Sequence, residues 1–217
     1  VNLLLAGATG LIGQAVAQQW AGPGTLHRLV RRPVPRVGAH EQVHVVDFSA
    51  LPGPPGLPPC SAALCALGTT IALAGSQAAF RAVDFDAVLH FARAAQAAGA
   101  TRLAVVSALG ADARSPSFYS RTKGEMEAAV RALGFATLLI ARPSLLTGDR
   151  HALGQPQRRA EHLAMRLSAP FTGLVPAAWR PIPAATVARA LLHALEQGAS
   201  GERVLDNAAL HRLGEPR

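Results

Sequence analysis

Cysteine is nearly missing from this sequence: of 217 residues only Cys60 and Cys65 carry a thiol. A lone C-x4-C lacks the second ligand pair that a structural zinc site needs. Cys65 lies in the apolar run from Ala62 to Leu67, so it is expected as a core thiol. There is no H-E-x-x-H and no cluster of carboxylates either, and no metal is expected. Long apolar runs are also absent. Half the residues are hydrophobic, yet none of their runs approaches bilayer length, so no membrane segment is expected. The opening Val1-Asn2-Leu3-Leu4-Leu5 is too short for the core of an export signal and leads straight into glycines. It reads as a strand, with the cytoplasm as default compartment.

Acidic residues are few. Asp and Glu number 13 against 21 Lys and Arg, for a net charge of +8. Such a balance raises the question of a nucleic-acid partner. The basic residues, however, are scattered, and no stripe of aromatics accompanies them. Only Arg31-Arg32 and Arg158-Arg159 form doublets. Others, such as Arg121, Lys123 and Arg131, read as solvated helix faces. No specific nucleic-acid binding is expected.

What is present is order. Short apolar segments alternate with helical patterns along the whole chain, which predicts an α/β, Rossmann-type, doubly wound parallel sheet. The pattern predicts strands at Asn2–Ala6, Leu26–Val30, Gln42–Val46, Ala62–Leu67, Arg102–Ser107, Thr137–Ala141 and Arg203–Leu205. Helices are predicted at Leu11–Trp20, at Gln77–Phe80 continuing into Val83–Ala98, at Ser120–Leu133 and at Val187–Gln197. Gly99 and Gly134 fall where helix C-caps belong. Five prolines between Leu51 and Pro59 exclude a regular helix or an inner strand there. The tract from Gly148 to Pro183 is the least regular, with a helix expected at Arg158–Ser168. One domain over residues 1–217 is expected, with 148–183 as an irregular cap.

The first strand ends in Gly7-Ala8-Thr9-Gly10-Leu11-Ile12-Gly13, a G-x-x-G-x-x-G run between strand and helix. Glycine at such a turn permits positive φ and close approach of a pyrophosphate to the backbone. The third glycine lets the helix pack against the strand, and the helix N-terminus offers free N–H groups to the phosphates. A nicotinamide dinucleotide is the expected ligand. NAD-preferring folds place a carboxylate about 20 residues further on, to bind the ribose 2′-hydroxyl. Here the second strand ends Leu29-Val30-Arg31-Arg32-Pro33 with no acid nearby, and guanidinium groups can clamp a 2′-phosphate. NADP(H) is therefore expected over NAD(H). Asp47 and Phe48, at the end of the third strand, are expected near the adenine. Leu67, Gly68 and Thr69, at the end of the fourth, are expected beneath the riboses.

The fifth strand stops at Ser107, and Tyr119-Ser120-Arg121-Thr122-Lys123 follows. Tyrosine and lysine four apart share a helix face. A lysine ammonium near a phenol favours the phenolate, and a serine opposite can hydrogen-bond a carbonyl or hydroxyl. That trio suits hydride transfer, with Tyr119, the one tyrosine of the chain, passing the proton.

The glycine run, Ser107, the Y-x-x-x-K pair and Ala141-Arg142-Pro143-Ser144 together resemble the short-chain dehydrogenase/reductase superfamily, and within it the atypical NAD(P)H-binding branch. Cys65 to Thr70, Val105 to Asp112 and Lys123-Gly124-Glu125 are similar to a subgroup that includes the Tat-interacting oxidoreductase-like tumour suppressor and its bacterial relatives. The likeness spans nearly the whole chain, including Leu205-Asp206-Asn207 and Leu210 to Gly214. It implies Ser107, Tyr119 and Lys123 as catalytic residues. It implies Gly7, Thr9, Gly10, Leu11, Ile12 and Gly13 at the pyrophosphate, and Arg31 and Arg32 at the 2′-phosphate. Arg142, Pro143, Ser144 and Leu145 would line the nicotinamide side. Many relatives carry an asparagine-bearing fourth strand that supports a proton relay, whereas this chain has Leu67-Gly68-Thr69 there.

The leading expectation is an NADP(H)-dependent oxidoreductase for a small carbonyl or alcohol. Phe118, Phe171, Leu174 and Trp179 are read either as an apolar pocket wall or as core under the cap. Two alternatives stand beside it: a cofactor-binding regulatory or sensor module with little turnover, and an NAD-dependent epimerase- or dehydratase-like enzyme. The short stretch after the sixth strand speaks against the latter. The sequence leaves a homo-oligomer open.

Overall fold

A computed structural model describes residues 2–53, 56–148 and 176–215. Seven strands form one parallel sheet: β1 (Leu3–Ala6), β2 (Leu26–Val30), β3 (Glu41–Val45), β4 (Ala62–Cys65), β5 (Arg102–Val106), β6 (Thr137–Arg142) and β9 (Gly201–Asp206). Their order is β3-β2-β1-β4-β5-β6-β9. Strands β1 and β4 are apolar throughout and buried at every position, as expected for strands covered on both faces. Strand β3 at one edge is only partly buried and exposes Val45; β9 at the other exposes Val204.

Helix α1 (Leu11–Gln19) covers one face of the sheet with α6 (Ala184–Gln197) and α7 (Asn207–Gly214). Helices α4 (Ala87–Ala97) and α5 (Phe118–Arg131) cover the other. Helix α4 is preceded by α2 (Ile71–Ala74), α3 (Gln77–Arg81) and one π-helical turn, Ala82–Asp86. A pair of two-residue strands, β7 (Leu146–Thr147) and β8 (Ile182–Pro183), ties the chain after β6 to the start of α6.

The topology fixes where a ligand goes. From β1 the chain winds outward to β2 and β3, then crosses back to β4 on the other side of β1. The connections leaving β1 and β4 therefore diverge, opening a crevice at the C-terminal ends of the strands. Strand β4 stops at Cys65 rather than at the expected Leu67. Residues 66–70 thus leave the sheet where the crevice opens, with Thr70 capping α2 through a hydrogen bond from Leu73 N. Cys65 is a core residue, and burial pushes its thiol up to about 12.

Helices α2 and α7 and the short strands β7 and β8 were not expected from the sequence, and other differences lie at element ends. Helix α5 begins at Phe118, two residues before the expected start, and so brings Tyr119 inside the helix. Helix α6 begins at Ala184 and β9 at Gly201, both earlier than expected. Among the described residues no helix is long and apolar enough to cross a membrane. The expected helix Arg158–Ser168, the doublet Arg158-Arg159 and most of the cap lie outside the described residues.

Candidate active site

The turn after β1 is shaped by what its glycines leave out. Gly7 has φ +77°, and a Cβ there would stand 2.3 Å from the Ala66 carbonyl carbon. A Cβ on Gly13 would stand 2.2 Å from the Gly7 carbonyl oxygen. The turn is closed by a hydrogen bond from Gly10 N to Gly7 O (3.0 Å), and α1 begins with Gln14 N donating to Gly10 O (2.9 Å). By helix geometry the amides of Leu11, Ile12 and Gly13 have no acceptor inside the helix. The first turn of α1 holds no acid. The result is a cradle free of Cβ atoms, facing the positive end of a helix, which fits a diphosphate.

This turn forms one wall of a cleft of about 320 Å³. Gly10, Leu11 and Ile12 line it together with Leu67, Gly68 and Thr69 and with Ser107, Tyr119 and Lys123. Pro143, Ser144 and Leu145 complete the lining. Sequence segments far apart in the chain thus converge at the sheet edge. Gly7 and Gly13 act from behind, through the shape of the turn.

Ser107 is 5% exposed, and its Oγ is buried with no hydrogen-bond partner. A buried hydroxyl left unpaired is costly unless a ligand completes it. Tyr119 is half-buried, its ring 5.5 Å from that of Phe80. Lys123, one turn further along α5, is only 3% exposed. It is not the solvated surface lysine that its helix pattern also suggested.

The partner of Lys123 is Asp84, which the sequence reading missed. Lys123 Nζ lies 2.7 Å from Asp84 Oδ1, with both side chains buried. Asp84 Oδ2 accepts a hydrogen bond from Thr69 N (2.8 Å). Burial alone would lower the Lys123 pKa; the Asp84 carboxylate, with the nearby Tyr119 and the hydrogen bond to Asp84, outweighs it and holds the pKa above the ordinary lysine value. The π-helical turn carries Asp84, and such turns recur at functional sites. A carboxylate stands here in the cleft, in a chain that lacks the asparagine-bearing fourth strand. Asp84→Asn is expected to cost about 3–5 kcal/mol of stability, because it leaves a buried ammonium uncompensated. It should also move the alkaline limb of any activity profile to lower pH, since burial then acts unopposed on Lys123. Thermal unfolding and a pH–rate profile check both; an unmoved alkaline limb would contradict the role given to Asp84.

The nicotinamide-side residues divide. Ser144 N donates to Asn207 Oδ1 (2.9 Å), and Asn207 Nδ2 donates to the carbonyls of Ala177 (2.7 Å) and Arg180 (2.8 Å). Asn207 is fully buried, and it holds the Pro143–Leu145 turn in place. Arg142 is a correction. Its guanidinium points away from the cleft and grips the buried Glu127 of α5 through Nε (2.9 Å) and Nη2 (2.6 Å). A buried carboxylate outcompetes an open cleft for a guanidinium.

The adenine side also departs from expectation. Phe48 is buried in the core beneath α4, and its carbonyl contacts His90. Its ring therefore offers no open face to a base. Asp47 is exposed, and its Oδ1 accepts from Ser49 N and Oγ. Thr9, Arg31 and Arg32 are exposed. Strands β1 and β2 run in register with Ala6 opposite Leu29, so Arg31 leaves β2 level with the glycine turn. Of the four residues read as pocket wall or core, Phe118 packs on Phe80, Trp179 is exposed, and Phe171 and Leu174 lie outside the described residues. The apolar wall of the cleft comes instead from Leu11, Leu67, Val106 and Leu146.

No family model matches the chain. Its sequence is 33% identical to "Protein HTATIP2" of Rattus norvegicus over 225 residues, spanning 99% of this chain and 89% of that protein. It is 30% identical to "Protein FMP52, mitochondrial" of Lodderomyces elongisporus over 224 residues, 93% of this chain and 89% of that one. Among solved structures, MoeE5 in complex with UDP-glucose and NAD matches with a TM-score of 0.71 and 18% identity, over 94% of this chain and 75% of MoeE5. That last likeness is one of fold. The FMP52 relatives correct one expectation: several are mitochondrial by name, so the cytoplasmic default does not hold.

Proposed function

The chain belongs to the atypical short-chain dehydrogenase/reductase family, with HTATIP2 and FMP52 among its relatives, and on that premise we propose that it is an NADP(H)-dependent oxidoreductase acting on a small carbonyl or alcohol. The observation that carries this reading is the unpaired, buried Ser107 hydroxyl in the same cleft as Tyr119 and Lys123. A surface that only sensed a cofactor would have no use for it.

The chain's own groups divide the work. The cradle of Gly7, Gly10 and Gly13 and the α1 amides hold a diphosphate. A nicotinamide bound there supplies hydride chemistry. Ser107 Oγ is free to hydrogen-bond the substrate oxygen and orient it. Tyr119 Oη gives or takes the proton at that oxygen. Lys123 keeps a positive charge beside the phenol, and Asp84 keeps Lys123 charged and in place. The apolar wall excludes water from the reacting atoms.

Arg31 and Arg32 support NADP(H) over NAD(H): both are exposed beside the turn, and among the described residues neither has an ion-pair or hydrogen-bond partner. A charge-assisted bond to a phosphate is worth enough for about 10- to 100-fold in affinity. Arg31→Asp is therefore expected to weaken NADPH by that factor and leave NADH unchanged or improved. Titration of both coenzymes checks it; an unaltered preference contradicts it. The reaction is tested by following NADPH oxidation against a broad panel of small aldehydes and ketones. Turnover of any of them that requires Tyr119 supports the enzyme. A chain that binds NADPH and reduces none is a binding module instead.

A further inference from the structure

The loop that carries the arginines is held from below by a buried ion pair. Arg28 on β2 and Glu41 at the start of β3 are bonded through Arg28 Nη1 and Glu41 Oε1, and each side chain is 3% exposed. The same Nη1 donates to the carbonyl of Pro35 (3.2 Å). Glu41 Oε2 accepts from Val37 N (2.8 Å) and Gly38 N (3.1 Å). Three backbone groups of the loop are thus tied to one pair. Pro33 and Pro35 have no N–H to bond with and fix φ around them.

The charge arrangement is pointed. Glu41 is the only carboxylate in the first 46 residues. It opens β3 opposite Leu26, at the end of the strands away from the cleft, and is buried and neutralised by Arg28. Arg31, Arg32 and Arg36 are exposed, and none has an ion-pair partner among the described residues. The one acid of this stretch anchors the returning end of the loop at Val37 and Gly38, and three cations are left for solvent or a ligand.

We infer that the Arg28–Glu41 pair is a specificity-positioning device: it sets the loop of residues 31–38 so that its arginines meet the 2′-phosphate of NADP(H), without touching the coenzyme itself. This rests on the NADP(H) reading above. Preorganisation of the loop removes an ordering cost that would otherwise weaken binding.

The test compares Glu41→Gln with the double variant Arg28→Leu/Glu41→Leu, using NADPH, NADH, 2′,5′-ADP and ADP as equilibrium probes. The double variant guards against misfolding, because apolar replacement of a whole buried pair is often neutral for stability. It also removes the Arg28 Nε, which is buried without a partner. Both variants are expected to lose about tenfold in affinity for NADPH and 2′,5′-ADP, with NADH and ADP changed less than twofold. A merely structural role would weaken all four probes alike. In the parent chain, hydrogen exchange at Val37 and Gly38 should slow on binding NADPH and not on binding NADH. A folded double variant that keeps the parent's NADPH-to-NADH ratio overturns the inference and leaves the NADP(H) reading standing. A parent chain that does not discriminate between the coenzymes removes that reading, and the inference falls with it.

Discussion

Tyr119→Phe is expected to lower kcat by about 10²- to 10⁴-fold, the range over which a positioned acid or base acts, with NADPH affinity within about twofold of the parent. The change removes one oxygen. The ring keeps its place against Phe80, and Lys123 keeps its buried partner Asp84, so the fold has no reason to move. The loss should appear in kcat and in kcat/KM together, because the missing interaction belongs to the transition state. Steady-state rates with the best substrate of the carbonyl panel, alongside a coenzyme titration, decide the matter. A variant that turns over like the parent would remove Tyr119 from the mechanism.

Gly10→Ala and Gly13→Ala are expected to separate coenzyme binding from folding. At Gly13 the new methyl would collide with backbone, 2.2 Å from Gly7 O and 2.7 Å from Ala8 Cα. Backbone cannot yield as a side chain can. Helix α1 must shift off the turn, costing about 1–3 kcal/mol or more and spoiling the cradle at once. At Gly10 the nearest atom to a Cβ is 3.4 Å away, which is ordinary contact, and φ is −82°, which alanine accepts. That methyl would project into the cleft where a diphosphate must come close. Gly10→Ala should therefore keep the parent's melting temperature to within about 2 °C and lose coenzyme affinity by about 100-fold. Gly13→Ala should lose both. Differential scanning calorimetry and coenzyme titration on the two variants read this contrast. Equal coenzyme affinity in Gly10→Ala and the parent would mean that the turn is only a structural feature.

Much of this site was legible in the chain because local chemistry carries it. A glycine run between an apolar strand and a helix needs no distant information to be read, and neither does tyrosine four residues before lysine. The strands β1, β4, β5 and β6 were visible as apolar runs because they are buried on both faces. Residues whose partners are far away in sequence were not legible. Asp84 lies between Val83 and Phe85 at the start of a predicted helix, where a lone carboxylate reads as solvated. Only the packing of the π-helical turn against α5 and the β4 exit makes it the partner of Lys123 and Thr69. Arg142 failed for the opposite reason. Its place at the end of β6 was read correctly, but alternation along a strand does not say which side chain finds a buried carboxylate, and Glu127 lies on a different element. Phe48 was placed at the adenine by topology, while the core beneath α4 claimed its ring. The Arg28–Glu41 pair spans two neighbouring strands and is invisible until their register is known.

The most direct test of the whole is calorimetric titration of the purified chain with NADP(H) and, in parallel, NAD(H). A single saturable site is predicted, tighter for the phosphorylated coenzyme, with the difference shrinking as salt rises because it is carried by exposed guanidinium groups. Absence of measurable binding to either coenzyme would contradict the account at its base, since neither the glycine cradle nor Tyr119 would then have anything to act with.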